Sequence, residues 1–198
     1  SFLSKTGVLY LDTQDSRGLI SAQHNSNVYA ARSKVMSEAD LVIIVGRKLD
    51  YQLAYGSPAI FSNASFIRIS DNPYELVDNR RGEPEIYAEP KLVFQEINCR
   101  ELKTNFDKKW IMEIRNFQNE KIEKFKNNKE SYLGDDNKIH PNYIFNCINS
   151  LVKEKYIGGA DGGDILSFAR IGLNSKYYLD SGVFGCLGVG IPYAIAAA

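Results

Sequence analysis

The alternation of short apolar runs with amphipathic segments predicts an α/β fold with parallel strands. Residues 41–45 form a continuous β-branched run ended by Gly46, which is typical of a strand covered on both faces of a parallel sheet. A helical pattern precedes this run and another strand-like run follows it, which is the order of a parallel crossover unit. The alternation starts again near residue 138. We therefore predict a Rossmann-like parallel-sheet domain followed by the first part of a second α/β domain.

The first domain is predicted to span residues 1–100. Its opening residues, 1–5, read as the tail of a helix whose start is missing. Pro73 suits the first turn of a short helix because proline lacks the N–H that a first turn leaves unpaired. The predicted strands are residues 8–11, 41–45, 66–69 and 86–88, and the predicted helices are residues 27–38, 72–78 and 90–99.

Residues 101–137 differ in composition from the domain before them. Trp110, Ile114 and Phe117 recur at roughly helical spacing among charged residues, which predicts an amphipathic helix followed by a polar linker. A second α/β domain is predicted over residues 138–198. Its elements are a helix at 141–155, a strand at 157–160, a helix at 165–171, a strand at 177–179 and a helix from residue 190. Both ends of the chain look cut, so we expect a fragment.

Composition excludes several classes of function. Lys and Arg number 24, and Asp and Glu also number 24, so the chain lacks the surplus of cations that nucleic-acid binding needs. Its apolar runs are far shorter than the roughly 18 residues of a membrane span. Three cysteines without a CxxC pair predict neither a disulfide framework nor a cysteine-rich zinc site, and they favour a cytoplasmic location. His24 and His140 are too far apart for a metal site and are expected to be surface or capping residues.

The densest signal for a ligand is the glycine-rich segment at residues 180–197. Its glycines at 182, 185, 188 and 190 follow a predicted strand and precede a predicted helix. Glycines let the backbone approach a ligand closely, and free amides at a helix start can face an anion. The order is GxxGxG, not the dinucleotide fingerprint GxGxxG. From these residues alone, a ligand loop and a plain strand-to-helix turn both stay open.

Two further turns lie at predicted strand ends. The turn at residues 160–164 contains Asp161, Gly162, Gly163 and Asp164, whose carboxylates would by themselves read as helix caps. A turn after residue 45 and another after residue 69 would lie where ligands bind in open parallel sheets. The candidate residues of this second site are Gly46, Lys48, Leu49, Ser70 and Asp71. The loop at residues 12–18 is expected to be an ordinary turn.

The segment at residues 180–197 closely resembles the cofactor-binding domain of thiamine-diphosphate-dependent enzymes. In that family a strand ending in Ser-Gly leads into a Gly-x-hydrophobe-Gly turn, then Gly-x-Pro and an Ala-rich helix. The resemblance implies that Leu187 wedges under the cofactor and that the Gly185 carbonyl accepts a hydrogen bond from its aminopyrimidine, with Cys186 between them. It also implies that the backbone amides of Gly162 and Gly163 lie beside the diphosphate. Many acetolactate synthases carry Met where this chain has Leu187.

The turns after residues 45 and 69 resemble the middle domain of the same enzymes, nearest to the acetolactate-synthase-like group. Members of the family bind FAD or ADP at these turns. Here Lys48 stands at the basic position, and Ser70 replaces the usual first aspartate, with Asp71 one place later. Lysine lacks the planar fork of arginine. A working nucleotide site and a purely structural domain therefore both stay open. The loop at residues 12–18 can reach the mouth of the active site in this family.

The resemblance implies a thiamine-diphosphate- and Mg²⁺-dependent 2-oxo-acid decarboxylase and carboligase. Its substrate would be a 2-oxo acid such as pyruvate, and it would form a homodimer or homotetramer without nucleic-acid or membrane partners. The alternatives are an enzyme like 2-hydroxyacyl-CoA lyase or oxalyl-CoA decarboxylase, and a non-catalytic nucleotide-binding module. The family's activating Glu and its metal motif match nothing in residues 1–198. We therefore expect the fragment to contain no catalytic residue or metal ligand, to be inactive alone and to bind thiamine diphosphate weakly.

Overall fold

The chain divides into two compact units. A computed structural model describes residues 2–13, 16–102, 106–127, 133, 136–152, 155–175 and 177–198. One unit comprises Ser1–Val8 and Ala31–Trp110, and the other comprises Leu9–Ala30 and Ile111–Ala198. Both contain parallel strands among helices, which confirms the predicted α/β class. The predicted domain limits at residues 100 and 138 stay predictions. None of the described helices has the length and apolar character that crossing a membrane requires.

A three-stranded parallel sheet in the order β1-β2-β3 forms the centre of the first unit. Val45 of β1 pairs with Ile69 of β2, and Ser70 of β2 pairs with Tyr87 of β3. The carboxyl ends of all three strands therefore lie at one edge. The elements of this unit are α1 (Phe2–Thr6), α2 (Arg32–Glu38), β1 (Leu41–Val45), β2 (Ser65–Ser70), α3 (Pro73–Leu76), β3 (Glu85–Tyr87) and α4 (Pro90–Asn98), with 3-10 turns at Tyr29–Ala31 before α2 and Tyr51–Gly56 after β1.

Two sequence expectations for the domain predicted over residues 1–100 are wrong. The predicted strand at residues 8–11 is reduced to one bridge, in which Tyr10 pairs with Asn27. The strand at residues 41–45 forms as predicted, but it is not covered on both faces. It lies at an edge of the three-stranded sheet, and its end residues Leu41 and Val45 are exposed. The central strand β2 is the buried one instead.

Arg68 is the largest fully buried side chain among the described residues. Its Nη1 donates to the backbone carbonyl oxygens of Asp78 at 2.7 Å and Arg80 at 2.9 Å, and its Nη2 donates to that of Glu75. Buried carbonyl groups need such partners because burial removes their hydrogen bonds to water. Arg68 therefore fixes the loop that follows α3 against the sheet.

The second unit is built around a two-stranded parallel sheet in which Gly159 pairs with Leu179. Phe145, Leu166 and Ala169 are buried in its core, together with Ile114 and Val28. Its described elements confirm the predicted order helix, strand, helix, strand, helix. They are α5 (Lys108–Asn127), which begins in the first unit, α6 (Pro141–Leu151), β4 (Ile157–Gly159), α7 (Asp164–Gly172), β5 (Tyr177–Leu179), a 3-10 turn at Gly182–Phe184 and α8 (Gly190–Ala197).

Candidate cofactor site

The loops that follow β4 and β5 meet at the carboxyl edge of the two strands. Parallel neighbours end at the same edge, so the turn at residues 160–164 and the glycine-rich segment are brought together. Gly162 is buried at the contact. A Cβ atom there would lie 2.6 Å from the carbonyl oxygens of both Gly185 and Cys186. Only glycine therefore permits the two loops to approach this closely.

Asp161 ties the two loops by hydrogen bonds to the backbone. Its carboxylate accepts the amide hydrogens of Gly162 at 3.0 Å, Gly188 at 2.8 Å and Val189 at 3.0 Å. These bonds, foremost that from Gly188, hold the pKa of Asp161 below its usual value. Because Gly188 and Val189 precede α8, Asp161 caps this helix from the neighbouring loop.

Leu187 lies at the surface of the joined loops. Its side chain is 76% exposed, and its Cδ2 lies 3.8 Å from where a Cβ of Gly163 would stand. Phe184 of the same segment is also strongly exposed. The glycine-rich segment is therefore not packed inside the core, and an apolar side chain stands beside the other predicted cofactor loop.

The structure joins all seven residues that the sequence predicted for a cofactor in one unit and at one sheet edge. Gly162 is buried, whereas Gly163, Asp164, Gly185, Cys186 and Leu187 are exposed. The carbonyl oxygen of Gly185, the expected acceptor for the aminopyrimidine, faces Gly162. The individual roles of these residues stay predictions.

Sequence analysis missed a charged cluster beside this site. Asp180, the residue after β5, is paired with Arg17 and with Arg170 of α7. Burial and the nearby charge of Asp180 raise the pKa of Tyr178 to about 12. Asp180 could have been noticed because a carboxylate stands directly at a strand end. We expected Arg17 to lie in an ordinary turn. No feature of the sequence indicates that it lies beside Asp180.

The five residues of the predicted nucleotide site lie in the first unit. Lys48 and Asp71 are exposed at the carboxyl ends of β1 and β2. Ser70 is buried, and its Oγ donates to a Glu75 carboxylate oxygen at 2.9 Å. Leu49 is also buried, with its amide donating to Asp78 Oδ2 at 2.9 Å, and Gly46 donates its amide to the Ile69 carbonyl oxygen at 2.7 Å.

The histidines and cysteines have structural surroundings. His140 Nδ1 accepts the Asn142 amide hydrogen at 3.2 Å and so caps α6, and His24 Nδ1 accepts the Ser26 amide hydrogen at 3.1 Å. The prediction of a surface or capping residue is confirmed as a cap for His140, whereas His24 lies in a turn that begins no helix. Cys99, Cys147 and Cys186 are free thiols. Within the described ranges, no group of three or more His, Cys, Asp or Glu residues is arranged to hold a metal ion.

Comparison with known proteins supports the predicted resemblance. Residues 1–97 match the family model described as thiamine pyrophosphate enzyme, central domain. The chain is 27% identical to mouse 2-hydroxyacyl-CoA lyase 1 over 202 residues, which cover 96% of this chain and 33% of that protein. It is 28% identical to the acetolactate synthase large subunit IlvG of Mycobacterium tuberculosis over 192 residues, which cover 92% of this chain and 33% of that protein.

These matches define the class of protein. The resemblance to thiamine-diphosphate-dependent enzymes is confirmed, and residues 1–97 match the central domain of the thiamine pyrophosphate enzymes. The chain spans about a third of the length of the curated relatives it matches. Relatives of two kinds, acetolactate synthases and 2-hydroxyacyl-CoA lyases, resemble it to a similar degree.

Proposed function

We propose that the protein carrying this chain is a thiamine-diphosphate- and Mg²⁺-dependent 2-oxo-acid decarboxylase and carboligase that resembles acetolactate synthase. The observation that carries the proposal is the meeting of the two predicted cofactor loops. Gly162 lies against the carbonyl oxygens of Gly185 and Cys186, and Leu187 stands exposed beside Gly163. This edge of a parallel sheet is where α/β proteins bind their ligands.

The residues at this edge fit the cofactor. The apolar Leu187 side chain would lose its contact with water by packing under the bent cofactor. Gly185 would offer its carbonyl oxygen to the aminopyrimidine, and Gly163 would offer its backbone amide to the diphosphate. The Gly162 amide, which was expected beside the diphosphate as well, already donates to the Asp161 carboxylate. Bound thiamine diphosphate supplies a nucleophilic carbon and an electron sink for the loss of carbon dioxide from a 2-oxo acid. The residues of this chain bind the cofactor, orient it and exclude water from it.

The remaining expectations from the sequence belong to the same proposal. They are a substrate such as pyruvate, a homodimer or homotetramer, and a cytoplasmic location. The 2-oxo acid and the second carbonyl compound would be recognised together with residues of the whole protein, since this chain spans about a third of its relatives.

A second candidate is a 2-hydroxyacyl-CoA lyase. The chain is 27% and 26% identical to the mouse and human 2-hydroxyacyl-CoA lyases 1. Its identity to an acetolactate synthase, 28%, is about the same, so sequence similarity favours both candidates equally. Both candidates would use the same cofactor loops. Product analysis separates them, because the first forms a 2-hydroxy-2-methyl-3-oxo acid from pyruvate and the second cleaves a carbon–carbon bond in an acyl-CoA.

We propose a nucleotide, FAD or ADP, as a ligand of the first unit. Lys48 and Asp71 are exposed at neighbouring strand ends, as a ligand would require. Ser70, by contrast, is already engaged by Glu75. A flavin absorption spectrum of the purified protein, or an increase in melting temperature with ADP, would support nucleotide binding. The absence of both would leave this unit with a structural role only.

The test of the main proposal is calorimetric titration of the full-length protein with thiamine diphosphate and Mg²⁺. We compare the wild type with Leu187→Ala and with the control Leu151→Ala. Leu151 is matched because it is 80% exposed and lies at the end of α6. Burying a leucine side chain contributes roughly 1.5–3 kcal/mol, so Leu187→Ala is expected to weaken binding by about tenfold or more.

The expected pattern is binding by the wild type, weaker binding by Leu187→Ala and unchanged binding by Leu151→Ala. Since both leucines are exposed, neither substitution should lower the melting temperature appreciably. No binding by the wild-type protein would contradict the proposed function. Equal affinities of wild type and Leu187→Ala would contradict the assignment of Leu187.

A further inference from the structure

Asp180 connects three parts of the second unit. Its side chain is only 5% exposed and follows β5 directly. Oδ2 is hydrogen-bonded to Arg17 Nη1, and it also accepts from Arg170 Nη2 at 3.1 Å. The other oxygen, Oδ1, accepts the amide hydrogen of Gly182 at 2.8 Å. One carboxylate thus joins Arg17, α7 and the start of the glycine-rich segment.

Arg17 is held in place by its own surroundings. Its side chain is 14% exposed, and its guanidinium carbon lies 5.4 Å from the centre of the Tyr178 ring. A second carboxylate, that of Asp12, lies 3.8 Å from its Nε. The Tyr10 hydroxyl donates to the Ser16 carbonyl oxygen at 3.1 Å and so fixes the residue before Arg17. Arg17 is therefore an ordered, largely buried cation.

The segment that carries Arg17 is also anchored on its other side. The Gln118 side chain, buried on α5, accepts the Ala30 amide hydrogen at 3.1 Å and donates to the Asn27 carbonyl oxygen at 2.9 Å. Arg115 donates to the Asn25 carbonyl oxygen at 3.0 Å. Residues 25–30 of the segment that carries Arg17 are therefore held to α5 by side-chain hydrogen bonds.

Arg17 is connected to the glycine-rich segment through the Asp180 carboxylate. A buried carboxylate is costly without partners, so its orientation follows the cations that neutralise it. The same carboxylate accepts the Gly182 amide hydrogen, at a glycine whose φ is +59°. A shift of the Asp180 carboxylate would therefore move the start of the segment that presents Leu187.

We propose that Arg17 and Asp180 are positioning residues for the segment at residues 182–188, and that Arg17 tunes cofactor affinity without touching the cofactor. The part concerning affinity rests on the proposed function. Arg17 acts through Asp180, and Asp180 acts through the Gly182 amide. The sequence separation of 163 residues makes this a tie between distant parts of the chain.

The test is hydrogen–deuterium exchange of the full-length, cofactor-free protein, followed by titration with thiamine diphosphate and Mg²⁺. Arg17→Gln removes the charge, Arg17→Lys keeps it, and Arg100→Gln is the matched control because Arg100 forms an exposed ion pair with Glu96. Loss of a hydrogen bond between charged groups should speed exchange in residues 180–189 by about tenfold. Residues 141–151 of α6 report on general destabilisation.

In Arg17→Gln we expect the rate of exchange to increase in residues 180–189 by more than it increases in α6. We also expect cofactor binding to be about tenfold weaker than in the wild type. Arg17→Lys should recover part of both effects, and Arg100→Gln should show neither. Unchanged exchange in residues 180–189, or an equal increase in α6, would overturn the positioning role. If the wild type binds the cofactor and Arg17→Gln binds it equally well, this inference is wrong and the proposed function stands. No binding by the wild type contradicts the proposed function, whereas the exchange result still decides the positioning role.

Discussion

Replacing Gly162 with alanine tests whether the two cofactor loops touch. The added Cβ would lie 2.6 Å from two backbone carbonyl oxygens, those of Gly185 and Cys186. Real Cβ atoms do not approach oxygen so closely, and both obstacles are backbone atoms that cannot rotate away. Backbone shifts of this kind typically cost about 1–3 kcal/mol. The loops must separate, and Leu187 must move with its loop.

The assay is thermal unfolding of the 198-residue chain, followed by circular dichroism. For a chain of this size, 1 kcal/mol corresponds to a change of about 2–4 °C in melting temperature. Gly162→Ala is therefore expected to lower the melting temperature by roughly 2–12 °C. The matched control is Gly190→Ala, in the first turn of α8, where the nearest atom to an added Cβ is the Asp161 nitrogen at 3.3 Å.

The control separates the close contact from the general effect of adding a methyl group. Alanine is favoured over glycine within a helix by roughly 1 kcal/mol, which offsets the tighter contact at Gly190. Gly190→Ala should therefore unfold within a few degrees of the wild type. If Gly162→Ala unfolds at the same temperature as the wild type, the two loops are not in contact and the geometry of the candidate site is wrong.

Two further predictions concern the first unit. Arg68→Met removes the partner of three backbone carbonyl oxygens and of the Asp78 carboxylate, with which the buried Arg68 forms an ion pair at 2.5 Å. It should lower the free energy of unfolding by about 3–5 kcal/mol. Arg81→Met, at an exposed ion pair, should change it by less than about 1 kcal/mol, and equal effects in urea unfolding would contradict the role of Arg68. Hydrogen bonds from Arg81 lower the pKa of Glu85 to about 2, so its stabilising contribution should be complete above about pH 5 and disappear as the pH falls from 4.5 to 2. The wild type should therefore have a higher melting temperature than Glu85→Gln at pH 6 but not at pH 2. A difference in melting temperature that does not change with pH would refute the role of the Arg81–Glu85 pair.

The sequence predicted those parts of the fold that depend on local pattern. The β-branched run at residues 41–45 and the strand at residues 66–69 form a parallel pair because such runs favour strands in either position of a sheet. What the run could not reveal was its place at the sheet edge, since strand order depends on partners far along the chain. Residues 8–11 are also apolar, but they contain a single β-branched residue and find only Asn27 as a partner, through Tyr10.

The candidate site was predictable to a similar extent. Glycines at strand ends and the resemblance to a known family indicated both cofactor loops, and the structure brings these loops together. The Arg17–Asp180 pair could not be predicted, because each residue is an ordinary charged residue in the sequence and 163 positions separate them. Such a contact follows from the packing of Leu9–Ala30 in the second unit, which no local pattern indicates.

Asp161 determines which helix start at this edge can receive a diphosphate. Two helices, α7 and α8, begin beside the joined loops, and each helix start favours an anion. At α8 the amides of Gly188 and Val189 already donate to the Asp161 carboxylate, so they are not available to a diphosphate. The start of α7 differs, because Gly163 stands at its N-cap with a φ of +83° and no side-chain cap. The proposed diphosphate position therefore falls at Gly163 and α7, while Asp161 keeps α8 and Leu187 in place.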